Sequence, residues 1–492
     1  MRLLAATVTS VSFALLASSG AAGAPSRPLL AVGYGSPAAL RAAVTGGGRL
    51  VRLYPRIHVA EVLPAAPGFT GDAGRVPGIR YVERVHSRVS ATEPALFSSS
   101  SFGAPYEWQY AAAHADGVPA SVLRAAASVT IAVIDTGADL TAPDLAAKAP
   151  RTHNVRTGGV DVRDVIGHGT FVASLAAGSV TNGEGVAGFG GDAKLLVIKA
   201  SSADGSFTDL DEANALVYAV DHGARVINLS IGGPETSETE KRGIAYATQH
   251  GVLVVAAIGN EYERGNPVEY PAALLQPVGS NGRGGVGLSV GASTTAGTRA
   301  AFSNTGSQLS LVAPGEHVLG ALSSTSGPGE YTAVTLPGSA SGLYGFGTGT
   351  SFATPEVAGA AALVFAANPL LTATDAAEIL KESASNDGTW NPATGFGVLD
   401  VAAAVARAQN RPVVALEATR AGKVIRLHWS SASAGSYRLT VRAGGKPPVV
   451  LLDRTTRTSA EYRLTRGPRY VFTVAAFDAA GTRLASATSS LR

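Results

Sequence analysis

Residues 129–137 read VTIAVIDTG, in which six apolar or β-branched residues lead into Asp135, a threonine and a glycine. Short runs of this kind are typical of strands that are buried on both faces of a parallel sheet. Runs of the same character occur at residues 129–134, 194–199, 225–229 and 252–257. Stretches with helical character lie between them, at residues 172–177, 209–222 and 240–250. This alternation predicts an α/β domain whose parallel sheet is covered by helices on both faces.

Three short motifs carry the residue types that acyl transfer by a serine requires. Asp135 follows the first predicted strand, at the carboxyl end where α/β proteins place their sites. His168 lies between two glycines, and Ser351 stands just before a long predicted helix. A nucleophile, a base and an acid that orients the base make up a serine triad. Each motif is common by itself, because a turn aspartate or a glycine-rich helix start needs no catalytic role.

The combination of the motifs is more specific than its parts. They occur in the order Asp, His, Ser, with spacings of 33 and 183 residues, and this is one of the known orders of a serine triad. The helix is predicted after Thr354, with Pro355 in its first turn and apolar residues as far as Ala367. Together with six further segments, the motifs resemble those of the subtilisin-like serine protease family over residues 106–409. The segments are Asn228–Gly233, Ala256–Asn260, Tyr270–Ala272, Phe302–Gly306, Ala313–Gly315 and Gly395–Gly397.

The resemblance implies a three-layer α/β/α domain that hydrolyses peptide bonds through an acyl-enzyme, with Asp135, His168 and Ser351 as the triad. It also implies that the side-chain amide of Asn260 contributes to the oxyanion hole. In this family one short segment pairs with an extended substrate, and a second forms the opposite wall of the primary specificity pocket. The residues at those positions are Ser230, Ile231 and Gly232 on the substrate-pairing wall, and Ala257, Ile258 and Gly259 on the opposite wall. From the residues alone, these six are equally well simple strand ends.

Three positions depart from the usual pattern of the family. Phe171 and Glu356 stand where histidine is common, and Phe352 follows the nucleophile where methionine is common. None of these positions performs a chemical step. The departures therefore predict altered packing around the site together with an active enzyme.

The N-terminal segments fit the same family. Residues 1–24 contain an arginine, a short apolar stretch and then small residues, as a secretory signal peptide does. Residues 25–91 look like a small α+β unit and, through Pro77–Glu83, resemble the inhibitory propeptide of the family. Residues 92–105 form a serine-containing linker in which cleavage is expected. The sequence thus predicts a secreted, self-processing zymogen whose own propeptide is an intramolecular inhibitor.

The C-terminal segment, residues 410–492, changes in character. It alternates polar and apolar residues and resembles a fibronectin type III domain, a small β-sandwich of about seven strands. Residues 411–492 carry a net charge of +10, whereas residues 101–410 carry −13 and the whole chain +3. This asymmetry indicates separate units. It leaves open an anionic surface as a partner of the basic tail, beside ordinary solubility patterning.

The composition and motifs exclude several other classes. The chain has no cysteine, which excludes disulfide frameworks, thiolate nucleophiles and thiolate metal sites. No H-E-x-x-H motif occurs, and Ser351 lacks the second glycine of a G-x-S-x-G esterase. No segment after the signal peptide runs to eighteen uninterrupted apolar residues, and no nucleic-acid motif is present. A catalytically inactive binding or adhesion protein on the same fold remains the alternative.

Two properties stay open at this level. The predicted chemistry requires no cofactor and no metal; calcium, which often stabilises this family, is expected to use Asn182 and nearby carbonyl oxygens if it binds. Glu261, Glu263 and Glu269 fall near the predicted pocket. They either favour basic substrate residues or are solvated loop carboxylates. The preference for substrate side chains is therefore not predicted.

Overall fold

The chain forms two compact units in a computed structural model. The smaller unit contains the described residues up to Leu53 and then Ala60–Arg84, and the larger contains Tyr54–Val59 and the chain from Val85 onward. The predicted signal peptide and the predicted processing region lie outside the described residues. The residues that are described are 28–65, 68–90, 106–326, 329, 331–336, 343–431, 434–464 and 469–491.

The smaller unit combines a four-stranded sheet with two short helices. Its strands lie in the order β2-β3-β1-β4, with β1 and β4 antiparallel. Its elements are β1 (Leu30–Tyr34), α1 (Pro37–Thr45), β2 (Gly48–Tyr54), β3 (Val59–Pro64), α2 (Phe69–Gly74) and β4 (Ile79–Arg84). The predicted α+β character is confirmed. Helix α2 was not predicted, because two of its six residues are glycines, which are poor helix formers.

The strands of the larger unit before its C-terminal region are short. They are β5 (Ser87–Ser90), β6 (Thr130–Asp135), β7 (Arg151–Asn154), β8 (Lys194–Lys199), β9 (Phe207–Thr208), β10 (Val226–Leu229), β11 (Ile231–Gly232), β12 (Leu253–Ala257), β13 (Leu288–Ser293), β14 (Leu311–Pro314), β15 (Val318–Ala321), β16 (Thr332–Val334) and β17 (Tyr344–Gly347). Seven of them form one parallel sheet in the order β14-β13-β12-β10-β6-β8-β7. Strands β15, β16 and β17 form a small antiparallel sheet.

The helices of this unit cover both faces of the parallel sheet. They are α3 (Trp108–Ala112), α4 (Ala120–Ala125), α5 (Pro143–Ala146), α6 (His168–Ala177), α7 (Asp209–Asp221), α8 (Glu238–Gln249), α9 (Ala272–Leu275), α10 (Thr350–Ala367), α11 (Ala373–Ser383) and α12 (Val401–Asn410). Alternate residues of β6 point to opposite faces: Ile131 and Val133 pack in one core with α6 and α10, and Ala132 and Ile134 pack in the other with α7, α8 and α9. The predicted three-layer α/β/α fold is thus confirmed.

Helix α10 begins earlier than the sequence predicted. It starts at Thr350, so Pro355 lies inside the helix and not in its first turn. Proline has no N–H to donate to the carbonyl four residues before it. That carbonyl belongs to Ser351, and it accepts a hydrogen bond from the Ser230 hydroxyl at 2.7 Å instead. The helix therefore tolerates the proline without leaving a buried carbonyl unpaired.

Helix α10 is also the centre of the larger core. Among the described residues it is the one helix long and apolar enough to cross a membrane by length and composition, and 94% of its apolar window is buried inside the protein. Seventeen of its residues are buried, which leaves it no solvent-exposed face. A mainly apolar helix that other elements enclose on all sides is a core helix.

The C-terminal region is a sandwich of two antiparallel sheets, as predicted. Its strands are β18 (Ala415–Ala421), β19 (Val424–Ser430), β20 (Ser436–Ala443), β21 (Val449–Thr455), β22 (Ser459–Arg463), β23 (Tyr470–Phe477) and β24 (Arg483–Leu491). One sheet has the order β18-β19-β22 and the other β21-β20-β23-β24. Trp429 and Leu427 from the first sheet pack with Leu439 and Phe472 from the second. Trp429 is therefore a core residue.

Candidate active site

Asp135 and His168 form a buried pair at the carboxyl end of the central strand. Asp135 is the last residue of β6, and His168 is the first residue of α6. His168 Nδ1 lies 2.8 Å from Asp135 Oδ1, and the two side chains are 4% and 1% exposed. A hydrogen bond from Nδ1–H to the carboxylate leaves Nε2 as the basic nitrogen of the ring. The pair is thus arranged as the base and the orienting acid of a triad.

Two glycines allow these elements to approach closely. A Cβ on Gly169 would fall 2.2 Å from the Gly137 carbonyl oxygen, and one on Gly137 would fall 2.1 Å from the Val162 carbonyl oxygen. Real Cβ atoms do not approach other atoms so closely, so any side chain would push β6 and α6 apart. The glycines of the Asp135 and His168 motifs are therefore required by packing.

Asp164 holds the two motifs together, and the sequence analysis missed it. Its carboxylate is fully buried and accepts from the Thr136 hydroxyl at 2.9 Å and the Gly167 N–H at 2.8 Å. It also accepts from the N–H and the hydroxyl of Thr170, at 2.8 and 2.6 Å. Thr136 in turn accepts from the Gly169 N–H at 2.8 Å. One carboxylate thereby fixes Thr136, which follows Asp135, and Gly167 and Thr170, which flank His168.

Ser351 lies in the first turn of α10, next to the pairing strand β11. Its hydroxyl donates to the Ser230 carbonyl oxygen at 3.3 Å, while the Ser230 hydroxyl donates to the Ser351 carbonyl at 2.7 Å. The ring of Phe352, its neighbour in sequence, has its centroid 5.7 Å from that of His168. The helix start that carries Ser351 therefore lies beside the pair formed by His168 and Asp135. The helix start also favours negative charge near the Ser351 N–H.

Asn260 follows the strand β12 and faces the same helix start. Its Oδ1 accepts from the Thr350 N–H at 2.9 Å. A Cβ on Gly349 would lie 3.5 Å from Asn260 Nδ2. Because the oxygen of the amide is engaged by the helix backbone, the orientation of the Nδ2 donor is fixed beside Ser351. A side-chain donor in this position is what an oxyanion hole requires.

An extended segment of the chain pairs with the predicted substrate-pairing wall of the cleft. Strand β5 is the middle strand of a sheet in the order β11-β5-β9 and is antiparallel to both neighbours. Ser90 lies opposite Ile231, and Val89 lies opposite Gly232. On the other side, β5 pairs with β9 of residues 207–208. The segment predicted to bind an extended substrate therefore pairs with an extended peptide.

The opposite wall is formed where β12 ends. Ala257 is the last residue of β12, and Ile258 and Gly259 follow it. All three are buried, as are Ser230, Ile231 and Gly232. The structure thus brings the two predicted walls, the predicted triad and Asn260 to the carboxyl ends of β6, β10 and β12. This edge is the one at which open α/β sheets bind ligands.

The three departures from the usual pattern form part of the core beside the site. Phe171 packs on Tyr331 and on Phe352, with ring centroids 4.9 and 4.4 Å apart.

Glu356 is fully buried, and both of its carboxyl oxygens lack a hydrogen-bond partner among the described residues. Burial and the nearby Glu107 raise the pKa of Glu356 well above its usual value. Burial therefore favours the uncharged form of Glu356, because a buried, unpaired carboxylate is costly.

Replacing Glu356 with glutamine is expected to increase the stability of the fold relative to the native chain, and to do so more at high pH than at low pH. The folded-state pKa of Glu356 is raised above its unfolded value, so its contribution to stability is present below pH 4.5 and is lost as the pH rises toward the folded pKa. Glutamine does not titrate. The difference in the free energy of unfolding between the variant and the native chain should therefore widen from pH 5 to pH 8, in favour of the variant. Denaturant unfolding on a Ser351→Ala background, which prevents autolysis, measures it.

The matched control for that measurement is Glu238→Gln, because Glu238 is an exposed helix residue. Its stability difference should be the same at both pH values. A constant difference for Glu356→Gln as well would show that Glu356 has an ordinary pKa in the folded protein.

The residues around Asn182 are oxygen donors of the kind that calcium prefers. Asn182 donates to Asp144 at 2.9 Å, and the Glu107 carboxylate accepts from the Ala187 N–H at 2.7 Å. Burial, together with the charge of Asp144, raises the pKa of Glu107 to about 7, and burial also raises that of Asp144. A bound cation would relieve this repulsion. Among the described residues, however, no group of three or more His, Asp or Glu side chains is placed to hold a metal.

Comparisons with known proteins agree with this arrangement. The model of the subtilase family, peptidase family S8, matches residues 126–397. Subtilisin E of Bacillus subtilis (strain 168) is 32% identical over 341 residues, which cover 67% of this chain and 76% of that protein. Subtilisin BL of Lederbergia lenta is 36% identical over 302 residues, which cover 60% of this chain and 95% of that protein. A thermophilic serine proteinase of Bacillus sp. (strain AK1) is 35% identical over 243 residues, which span 49% of this chain and about half, 53%, of that protein.

The fold is shared with solved structures over most of the chain. Fervidolysin of Fervidobacterium pennivorans, described as a keratinolytic enzyme related to subtilisin, aligns with a TM-score of 0.64 at 19% identity. The alignment covers 91% of this chain and 86% of that one. At this level of identity the likeness concerns the fold alone. The family match extends over more than half of the residues, and the subtilisin E alignment covers three quarters of that relative. The chain therefore belongs to the subtilase family of serine peptidases.

Proposed function

We propose that this chain is a secreted serine endopeptidase that acts through an acyl-enzyme and is made as a self-processing zymogen. The observation that carries the proposal is the cluster of Asp135, His168, Ser351 and Asn260 beside a strand that already pairs with an extended peptide. The pattern of a signal peptide in residues 1–24 supports export.

In the proposed mechanism, Ser351 Oγ attacks the carbonyl carbon of the scissile bond while His168 Nε2 takes the hydroxyl proton. Asp135 keeps Nδ1 as the donor and stabilises the imidazolium that forms. The oxygen of the tetrahedral intermediate is held by Asn260 Nδ2 and the Ser351 N–H. His168 then gives the proton to the leaving amine, and the C–N bond breaks. A water molecule repeats these steps on the ester and releases the acid.

The pairing of β5 supports the role of the N-terminal segment as an inhibitor. It follows the small α+β unit in sequence and occupies the place of a substrate strand on β11. The residue before β5, His86, is bound to the start of α7. Its N–H donates to Asp209 Oδ1 at 3.0 Å, and its carbonyl accepts from the Asp209 N–H at 3.0 Å. A strand held this way blocks access of other peptides to β11. Inhibition would last until the segment is cut and released.

The end of β5 lies close to the predicted nucleophile. Ser90, its last residue, is opposite Ile231, and Ile231 follows Ser230, whose carbonyl accepts from the Ser351 hydroxyl. The residues that follow Ser90 in the sequence belong to the predicted processing region. We infer that processing cuts the chain within residues 91–105.

The test is to label the secreted protein with a serine-directed phosphonate and to measure its intact mass. We expect one adduct, on Ser351, on a mature chain that begins between residues 91 and 106, and no adduct on a Ser351→Ala control. A processed and folded protein that takes no label would contradict the proposal and favour a non-catalytic binding protein. A labelled chain whose N-terminus lies outside this range would contradict only the assigned processing region.

A further inference from the structure

One buried carboxyl lies between the two walls of the cleft and has no part in the mechanism. Glu269 precedes Tyr270, whose N–H donates to the Gly233 carbonyl at 2.9 Å and whose carbonyl accepts from the Gly233 N–H at 3.0 Å. This bridge continues the line of β11 and fixes Glu269 next to Gly232. The side chain is only 6% exposed. It is therefore not a solvated loop carboxylate.

The carboxyl of Glu269 fills the gap between the walls. A Cβ on Gly259 would fall 2.7 Å from its Cδ and 2.8 Å from its Oε1. A Cβ on Gly232 would fall 2.9 Å from its Oε2. Both glycines thus leave room for the carboxyl group, and the carboxyl takes up the space between them. What remains of the gap is the space available to a substrate side chain.

The carboxyl is also held in place. It forms a hydrogen bond with the carboxyl of Glu261, and Glu261 is itself fixed because its Oε2 accepts from the Asn260 N–H at 2.7 Å. Burial, this hydrogen bond and the charge of Glu261 raise the pKa of Glu269 to about 9. At neutral pH the group that faces the gap is therefore an uncharged acid, which offers no full charge to attract a lysine or arginine.

We propose that Glu269 restricts the residue on the acyl side of the scissile bond to small side chains such as alanine. The acyl-side residue is the one whose carbonyl Ser351 attacks, so the inference rests on the proposed function. A phenylalanine side chain would have to displace the buried Glu269 carboxyl. An alanine methyl group would not.

The experiment compares succinyl-Ala-Ala-Pro-X-p-nitroanilide substrates in which X is alanine, phenylalanine or lysine. The native enzyme is expected to have a kcat/KM for alanine at least tenfold above the values for the other two. In Glu269→Gly, the ratio of phenylalanine to alanine should rise by about 10- to 100-fold, because the opened gap buries the aromatic ring. Glu263→Gln, which changes an exposed carboxylate of the same loop, should leave the ratio unchanged.

The readouts separate the possible failures. Each variant is titrated with the phosphonate before the assay, so that rates refer to active Ser351. A native enzyme that labels but prefers phenylalanine or lysine overturns the role of Glu269, even if Glu269→Gly does not fold. An unchanged ratio in both Glu269→Gly and Glu269→Ala also overturns it. A native protein that neither labels nor cleaves any substrate overturns the proposed function, and this inference with it.

Discussion

Ser351→Ala is expected to lower kcat by about 10⁶-fold and to leave the chain uncut at its N-terminal segment. Without Oγ there is no atom to form the acyl-enzyme, and His168 has no hydroxyl from which to take a proton. The residual rate comes from the oxyanion hole and substrate binding alone. The measurement is the kcat of a peptide anilide with the purified variant, together with the mass of the secreted chain. Cleavage in the predicted processing region, residues 92–105, is expected to stop as well, because the same serine makes that cut.

The loss should not come from misfolding. In the folded protein the Ser351 hydroxyl makes one hydrogen bond, to the Ser230 carbonyl at 3.3 Å. A bond of this kind contributes about 1 kcal/mol to stability, so the variant should unfold cooperatively and close to the native midpoint. A chain that retained a hundredth of native activity would require another nucleophile. A variant still cut within residues 92–105 when produced alone would show that a different protease matures the protein.

The strands of the parallel sheet that carry a strand pattern in their own sequence were predicted correctly. The runs at 129–134 and 194–199 became β6 and β8, because Val/Ile-rich strands buried on both faces need no partner to be recognised. Strand β13 was not predicted, since its sequence LSVGAS contains a glycine and two serines. Its strand character depends on pairing with β12 and β14, which lie elsewhere in the sequence. Local pattern therefore located the middle of the sheet better than its edges.

The residues of the site fall into the same two groups, those in a recognisable local motif and those whose role depends on the fold. Asp135, His168 and Ser351 each stand in a short motif, and so each could be assigned a place from the sequence. Asp164 could not be distinguished from a loop aspartate, because its partners come from two segments that the fold brings together. Glu269 was left open for the same reason. Its burial depends on the absence of side chains at Gly232 and Gly259, which precede it by 37 and 10 residues.

Replacing Asn260 is expected to lower kcat by about 10²–10³-fold with little change in KM. The donor from Nδ2 meets full negative charge only in the transition state, so its loss affects the chemical step more than substrate binding. Two variants separate this donor from the structural role of the residue. Asn260→Asp keeps an oxygen that can accept from the Thr350 N–H, whereas Asn260→Leu keeps neither group. Both lack the donor, and both should lose activity to at least this extent.

The comparison with Ser351→Ala shows what Asn260 does. If the oxyanion hole acts only on the intermediate formed by Ser351, the two residues act on one step. Adding Asn260→Leu to Ser351→Ala should then lower kcat by a much smaller factor than Asn260→Leu does in the native chain. The phosphonate should still label Ser351 in both single variants of Asn260, but more slowly, because the reagent also develops negative charge on oxygen. A drop in kcat of less than fivefold in both variants would leave the Ser351 N–H as the sole donor. The helix start at Thr350 would then be the element that stabilises the intermediate.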